Sequence, residues 1–254
     1  MSVQGPIARN VADVRLGLEV MAKGDPRDPM YVPAPMRGPE LKRPVRVALS
    51  FASPTPRPLH PAVRAALETA AAQLRDAGYA VEEATPPDLQ RVPYLWIELM
   101  LTEIELLQRA VVTQMASKDF LTWLDALYRA GKVLDHAGYM KGLTERIAIL
   151  RRWQLFFEDY PLLLSPLSLD PPFPVNHDIA SPESSQAVID SLGYSVAMNL
   201  LGLPAGIVPV ALHEGAPIGV QLTATRFRED LCLDAMQAIE DRSGILVERL
   251  WARG

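Results

Sequence analysis

Apolar residues recur along this chain with two periods. Val11, Val14, Leu18 and Met21 are spaced by three, four and three, one face of a helix. Asn10 caps it, with Asp13 in the place of a capping-box carboxylate, and Lys23 and Gly24 suit its end. Residues 25–44 then carry six prolines, which forbid a continuous helix or central strand. Residues 45–51, "VRVALSF", read as a buried strand. A helix follows with Pro61 at its first turn and Val63, Leu67, Ala71 and Leu74 as its stripe, ended by Gly78. "AVEEA" after it is a second strand, so residues 45–84 form a βαβ-like unit.

Residues 92–159 read as a helical insert of three segments, 93–115, 118–131 and 137–159, with breaks at Gly131 and Gly138. Leu143, Ile147, Leu150 and Phe157 mark the inner face of the third. "PLLLSPLS" is a short apolar run bounded by prolines, a buried strand running into a loop, and "LDPPFPVNHD" is loop. Ser181 and Pro182 open a helix that extends to Leu201, where Gly202 stops it. "PAGIVPVAL" and "PIGVQLTAT" are two strands around the turn "HEGA"; Ile218, Val220, Leu222 and Ala224 alternate with Gly219, Gln221 and Thr223. A helix over 228–242 closes the pattern, with Leu231, Ala235 and Ile239 on one face. The fold class is α/β: a mixed β-sheet flanked by helices, with the helical insert in the middle.

The length of 254 residues fits one large domain or two small ones, and 49% of the residues are apolar, enough for a sizeable core. The net charge of −5 does not point to nucleic acid or to an anionic membrane surface. No stretch is long and apolar enough to span a bilayer, so no membrane partner is expected. Cys232 is the single cysteine, which excludes an internal disulfide and fits a reducing, cytoplasmic setting.

Four segments carry a family resemblance. "GPIARNVADVRLGLEVMA" resembles the GPxARxVxD helix of the amidase signature enzymes, and "DPRDP" follows at the expected place. "DYPLLLSP" is similar to that family's (Y/F)D-x-L-L-x-P strand. "NLLGLPAGIVPV" followed by "PIGVQLTATRFREDLCLDAMQAIE" resembles its N-x-x-G-x-P-A strand, PxGxQ strand and closing helix. The four run in order over nearly the whole chain. The resemblance implies carboxamide hydrolysis by a Ser–Ser–Lys triad, with a lysine kept neutral as base and backbone N–H groups as oxyanion hole. In the family those residues precede the GPxAR segment. No Gly/Ser-rich nucleophile stretch occurs here; "SPESSQ" lacks glycine and suits a helix start.

The expectation is therefore a single partial amidase domain over residues 1–254, the C-terminal half of such an enzyme, with Met1 standing for an internal methionine. A shortened gene, a first half carried by another chain, or a chain cut by design would each account for it. No catalytic residue is assigned to this chain, which is expected to be inactive alone. It would be a truncated amidase or a non-catalytic subunit, completing an amidase or binding a ligand in the remnant cleft. Its partners would be a separate catalytic half, a second copy of itself, or a small-molecule amide. The missing half should leave a sheet edge and apolar surface uncovered near "VRVALSF" and "PIGVQLTAT".

The resemblance also implies that Ser165, Pro166, Leu167 and Ser168 line the substrate cleft; the alternative is that this strand is simply core. Ser165, Ser168, Asp170, His177 and Asp178 contain the residue types of a Ser-His-Asp hydrolase, but "LLSPLSLD" has no strained G-x-S-x-G turn to present a serine. His60, His136, His177 and His213 are widely spaced and lack metal-ligand spacing, so no metal or cofactor is assigned. Arg9 and Asp13 suit a local ion pair or capping role, and Cys232 suits packing. In the insert, Trp96, Trp123, Tyr128 and Phe156 could line an apolar pocket, though helix-on-helix packing accounts for them more simply.

Overall fold

In the computed structural model, residues 3–251 are described. Helix α1 (Val11–Met21) is capped as its sequence suggests: Asn10 Oδ1 accepts from the Asp13 N–H at 2.8 Å, and Asn10 Nδ2 donates to Asp13 Oδ2 at 2.9 Å. Val11 is buried and Val14 and Leu18 pack beneath it, whereas Met21 faces solvent. After the proline-rich connection come β1 (Arg46–Leu49), α2 (Pro61–Asp76) and β2 (Ala80–Glu83), the expected βαβ unit, with β1 and β2 parallel.

The insert comprises α3 (Val92–Glu103), a π-helical stretch (Ile104–Gln108), α4 (Arg109–Met115), α5 (Lys118–Ala130) and α6 (His136–Asp159). The single helix expected over 93–115 is thus interrupted. Gly131 caps α5, but Gly138 lies inside the first turn of α6, where its N–H is capped by Asp135 at 2.7 Å. The inner face of α6 is Gly142, Ile149, Trp153 and Phe157; Ile147, placed inward by the sequence pattern, is exposed.

Strand β3 (Leu162–Pro166) leads to α7 (His177–Ala180), a single turn inside the expected loop, then α8 (Pro182–Ser191) and α9 (Gly193–Leu201). The continuous helix expected over 182–201 breaks at Leu192 because two carbonyls turn to distant partners. The Asp190 carbonyl accepts from Thr55 Oγ1, and the Ser191 carbonyl accepts from the Leu169 N–H, both at 2.9 Å. Gly193, which opens α9, allows the close approach: a Cβ there would lie 2.4 Å from Pro54 Cγ.

Strands β4 (Ala205–His213) and β5 (Ala216–Ala224) form the hairpin, joined by Glu214 and Gly215, both at positive φ (50° and 85°), the backbone of a two-residue type I′ turn. Helices α10 (Glu229–Ser243) and α11 (Leu246–Trp251) follow, the latter unforeseen in the sequence. The five strands among the described residues form one mixed sheet, order β2-β1-β3-β5-β4, parallel across β2, β1 and β3 and antiparallel across β3, β5 and β4.

This order corrects the expected exposed edge. "VRVALSF" and "PIGVQLTAT" supply interior strands, and the edges are β2 and β4. On β4, Val208 and Val210 are buried while Ala205, Ile207 and Pro209 on the opposite face are exposed, Ile207 by 47%.

Helices cover both faces elsewhere. On one, Leu162 and Leu164 of β3 and Val220 and Leu222 of β5 pack with α2 and α10. On the other, Leu163 and Ala48 pack with α3, α6 and α9 around Trp153, whose indole N–H donates to the Pro87 carbonyl at 2.8 Å. Leu163→Ala should destabilise the fold by about 2–5 kcal/mol, seen as a lower denaturant midpoint at unchanged slope, because the site is walled by other large side chains.

Asp230 ties the start of α10 to the proline-rich connection. Burial works against its charge, but bonds from Arg228, the Gly38 N–H (3.1 Å) and the Leu231 N–H hold its carboxyl below the usual carboxylate range. A depressed folded value stabilises the fold above the unfolded value near 4 and is lost as pH falls. Asp230→Asn should cost about 1–3 kcal/mol at pH 7. In melts recorded from about pH 5 towards pH 2, the gap between the two proteins should narrow.

Candidate active-site cleft

Strand β3 delivers Ser165 and Pro166 to the C-terminal end of the parallel strands, and all five of its residues are buried. Ser165 follows Leu163 by two residues and shares its face. Its hydroxyl has only long contacts, 3.5 Å from Gln221 Nε2 and 3.4 Å to the Pro166 carbonyl. Gln221 and Thr223 are the polar residues of the alternating β5 pattern and are buried beside it. Ser50, just beyond β1, is fully buried and lies 2.7 Å from the Tyr194 hydroxyl, oxygen to oxygen. Burial pushes the Tyr194 phenol well above its ordinary value, against the lowering effect of Ser50. Sequence reasoning missed this pair, because its partners are 144 residues apart.

Leu167 and Ser168 lie half-buried on the loop. Ser168 Oγ sits 2.6 Å from Ser191 Oγ, donates to the Asp170 carbonyl at 2.9 Å and accepts from the Asp170 N–H at 3.2 Å. The Asp170 carboxylate is paired with Arg57. Ser168 therefore pins the loop to the α8–α9 junction. His177 stacks flat on Phe173, centroids 5.0 Å apart, and the Asp178 carbonyl accepts from Ser185 Oγ. Ser168 meets only the backbone of Asp170, whose carboxylate goes to Arg57, and His177 and Asp178 bond elsewhere, so the five do not assemble a relay.

The α8–α9 junction also forms one side of a concave pocket, walled on the other by α3 and α5. Trp96, Trp123, Leu127 and Ile189 line it, around a cavity of about 90 Å³. Two of the four aromatic residues suggested by the sequence are here. Tyr128 instead donates to Glu105 at 2.7 Å beside the π-helical stretch, and Phe156 packs on Phe157 and Tyr160. The Trp96 indole N–H is buried without an acceptor. Asp190 Oδ1 accepts from Gln186 Nε2 at 2.9 Å.

Lys23, Lys42, Lys118, Lys132 and Lys141, the five lysines of the chain, are all exposed. None is in the desolvated setting that would keep a lysine neutral as a base. Cys232 is buried on α10 and its thiol is pushed up by burial, which opposes thiolate formation. His60 and His213, distant in sequence, meet edge to face at 5.3 Å, and His60 caps α2. Arg9 lies over the Trp251 ring rather than pairing with Asp13. Among the described residues no group of three or more metal-ligating side chains converges, and no helix is long and apolar enough to cross a membrane.

Comparison with known proteins gives this geometry a setting. The Amidase family profile matches residues 1–233. An indoleacetamide hydrolase from Bradyrhizobium diazoefficiens is 46% identical over 252 residues, covering 99% of this chain and 48% of that protein. A glutamyl-tRNA(Gln) amidotransferase subunit from Deinococcus deserti is 29% identical over 271 residues, covering 93% of this chain and 54% of that protein. The chain spans about half the length of these relatives. A structure of 6-aminohexanoate cyclic dimer hydrolase superposes with a TM-score of 0.76 at 21% identity, covering 94% of this chain and 55% of that one, a likeness of fold. With the family profile covering most of its length, the chain belongs to the Amidase family.

Proposed function

We propose that residues 1–254 are the C-terminal part of an amide hydrolase acting on a small aryl-substituted carboxamide. They would form a partial amidase domain that supplies substrate-binding surface, while nucleophile and base come from polypeptide outside these residues. The observation carrying this reading is a mismatch within the chain. The fold is that of an amidase, yet every lysine is exposed and, among the described residues, no serine hydroxyl is hydrogen-bonded to a lysine or histidine side chain. Ser165, Pro166, Leu167 and Ser168 act in this reading as cleft wall. The first two anchor the loop in the sheet, and Ser168 fixes it through Ser191 and Asp170. The 46% identity to an indoleacetamide hydrolase favours an arylacetamide as substrate. The same reading sets the protein in the cytoplasm, where its one cysteine stays reduced.

A second reading, in which this chain completes a separate catalytic subunit, is favoured by β4. Its outer face presents Ile207 and Pro209 uncovered beside a free strand edge, the surface a missing half would close. Self-association through the same edge is the competing outcome.

Turnover of indole-3-acetamide and a panel of aryl and aliphatic amides tests the proposal. The chain alone should give background rates, since loss of nucleophile and base together leaves at most a small residual in enzymes of this kind. Mixing with a polypeptide bearing the Gly/Ser-rich half should restore turnover. Turnover by the chain alone, with stoichiometric labelling of Ser165 or Ser168 by a serine-directed fluorophosphonate, would refute it. Sedimentation at low micromolar concentration reads the β4 surface: a monomer that stays monomeric when mixed with the catalytic half argues against completion.

A further inference from the structure

The pocket between α3, α5 and the α8–α9 junction is apolar on most of its wall, but its polar groups are unequally satisfied. Trp96 offers a buried N–H that no group accepts. Asp190 offers a carboxylate with Oδ1 bound to Gln186, while Oδ2 is hydrogen-bonded by no side chain among the described residues. The Asp190 carbonyl is held by Thr55, so the residue is fixed at the point where α8 ends. The field of this carboxylate reaches the pocket wall: burial raises the Tyr94 phenol above its ordinary value and the Asp190 charge raises it further. A buried donor without an acceptor is costly, and an unshared carboxylate oxygen on an apolar wall is likewise a group suited to a partner. Two tryptophans in its lining favour a flat aromatic occupant.

We infer that Asp190 is the specificity-determining residue of an aryl subsite, where its free carboxylate oxygen accepts a hydrogen bond from the ring N–H of a bicyclic heteroaromatic group lodged beside Trp96 and Trp123. The inference rests on the arylamide reading above. The end of α8 links the subsite to the cleft loop: Ser191, next to Asp190 in sequence, holds Ser168 at 2.6 Å. Discrimination comes from the carboxylate: a ring without N–H leaves Asp190 Oδ2 desolvated and unpaired, which is the costly arrangement.

Calorimetric titration of the chain with indole and with 1-methylindole tests this without any amide chemistry. Indole should bind about tenfold more tightly than 1-methylindole, the worth of one hydrogen bond to a charged group. Asp190→Ala should bring the two affinities together, and Asp190→Asn should narrow the gap. Trp123→Ala should weaken both ligands alike. Circular dichroism melts of each variant establish that it is folded, and Asp190, half-buried at a helix end, is a mild site for substitution. Equal affinity for the two ligands overturns the inference. So does a preference that survives in Asp190→Ala, which would mark a steric clash of the methyl group, or indole binding unchanged in Trp123→Ala. The two proposals fail separately. Amide turnover on reconstitution without a ring N–H preference sinks the subsite alone, whereas the preference without turnover upholds the subsite and sinks the hydrolase reading.

Discussion

Leu162, Leu163 and Leu164 have no polar face to offer, and the rest of the architecture follows from that. A strand apolar on both sides must be covered on both sides. β3 lies between β1 and β5, with α2 and α10 over Leu162 and Leu164 and with α3, α6 and α9 over Leu163. At the rough 25 cal/mol per Å² for apolar burial, three fully buried leucines are among the largest single contributions a five-residue strand can make. The exit of this strand is therefore fixed in space, and Ser165 and the loop to Asp170 inherit that fixed origin.

What holds the loop at its other end is the interruption between α8 and α9. A continuous helix would keep the Asp190 and Ser191 carbonyls for its own ladder. Here they turn to Thr55 and Leu169, and Gly193 lets Pro54 come within the space a Cβ would fill. One irregularity thus binds three segments: the connection after β1, the loop after β3, and the start of α9. The pocket lined by Trp96, Trp123 and Asp190 opens beside it.

This division explains what was legible in the sequence. Strand β3 was readable from a local apolar run, the β4–β5 hairpin from alternation around Glu214 and Gly215, and the α1 cap from Asn10 and Asp13, because local pattern determines each. The break at Leu192 was not readable, since its cause lies in Thr55 and Leu169. The sheet edge was misplaced for a related reason. "VRVALSF" and "PIGVQLTAT" are apolar in the way both a buried interior strand and an uncovered one would be. Only the pairing order, with β2 and β4 outermost, separates the cases. Of the four residues read onto the inner face of α6, Leu143, Leu150 and Phe157 pack on the core and Ile147 does not, because 24 residues of helix offer several apolar rows and the partners choose among them. At the candidate site, Ser165 to Ser168 were singled out through resemblance rather than by local pattern. Asp190 and Tyr194 carried no local signal, being ordinary helix residues until tertiary contacts give them partners.

The two faces of the sheet differ in kind. The face towards α2 and α10 is apolar along β1, β3 and β5. The opposite face becomes polar towards one end: Ser50 beyond Ala48, Ser165 beyond Leu163, and Gln221 and Thr223 on β5. Such groups cost stability unless they are hydrogen-bonded, and those of Ser165 and Gln221 are bonded only at long range. A core built for stability alone would place valine or leucine there, as the other face does. Their position is the C-terminal end of the parallel strands β1 and β3, where ligands bind in open α/β sheets. The asymmetry therefore orients the molecule: one face secures the sheet, and the other carries buried polar groups, of which Ser165 and Gln221 are held only by long contacts.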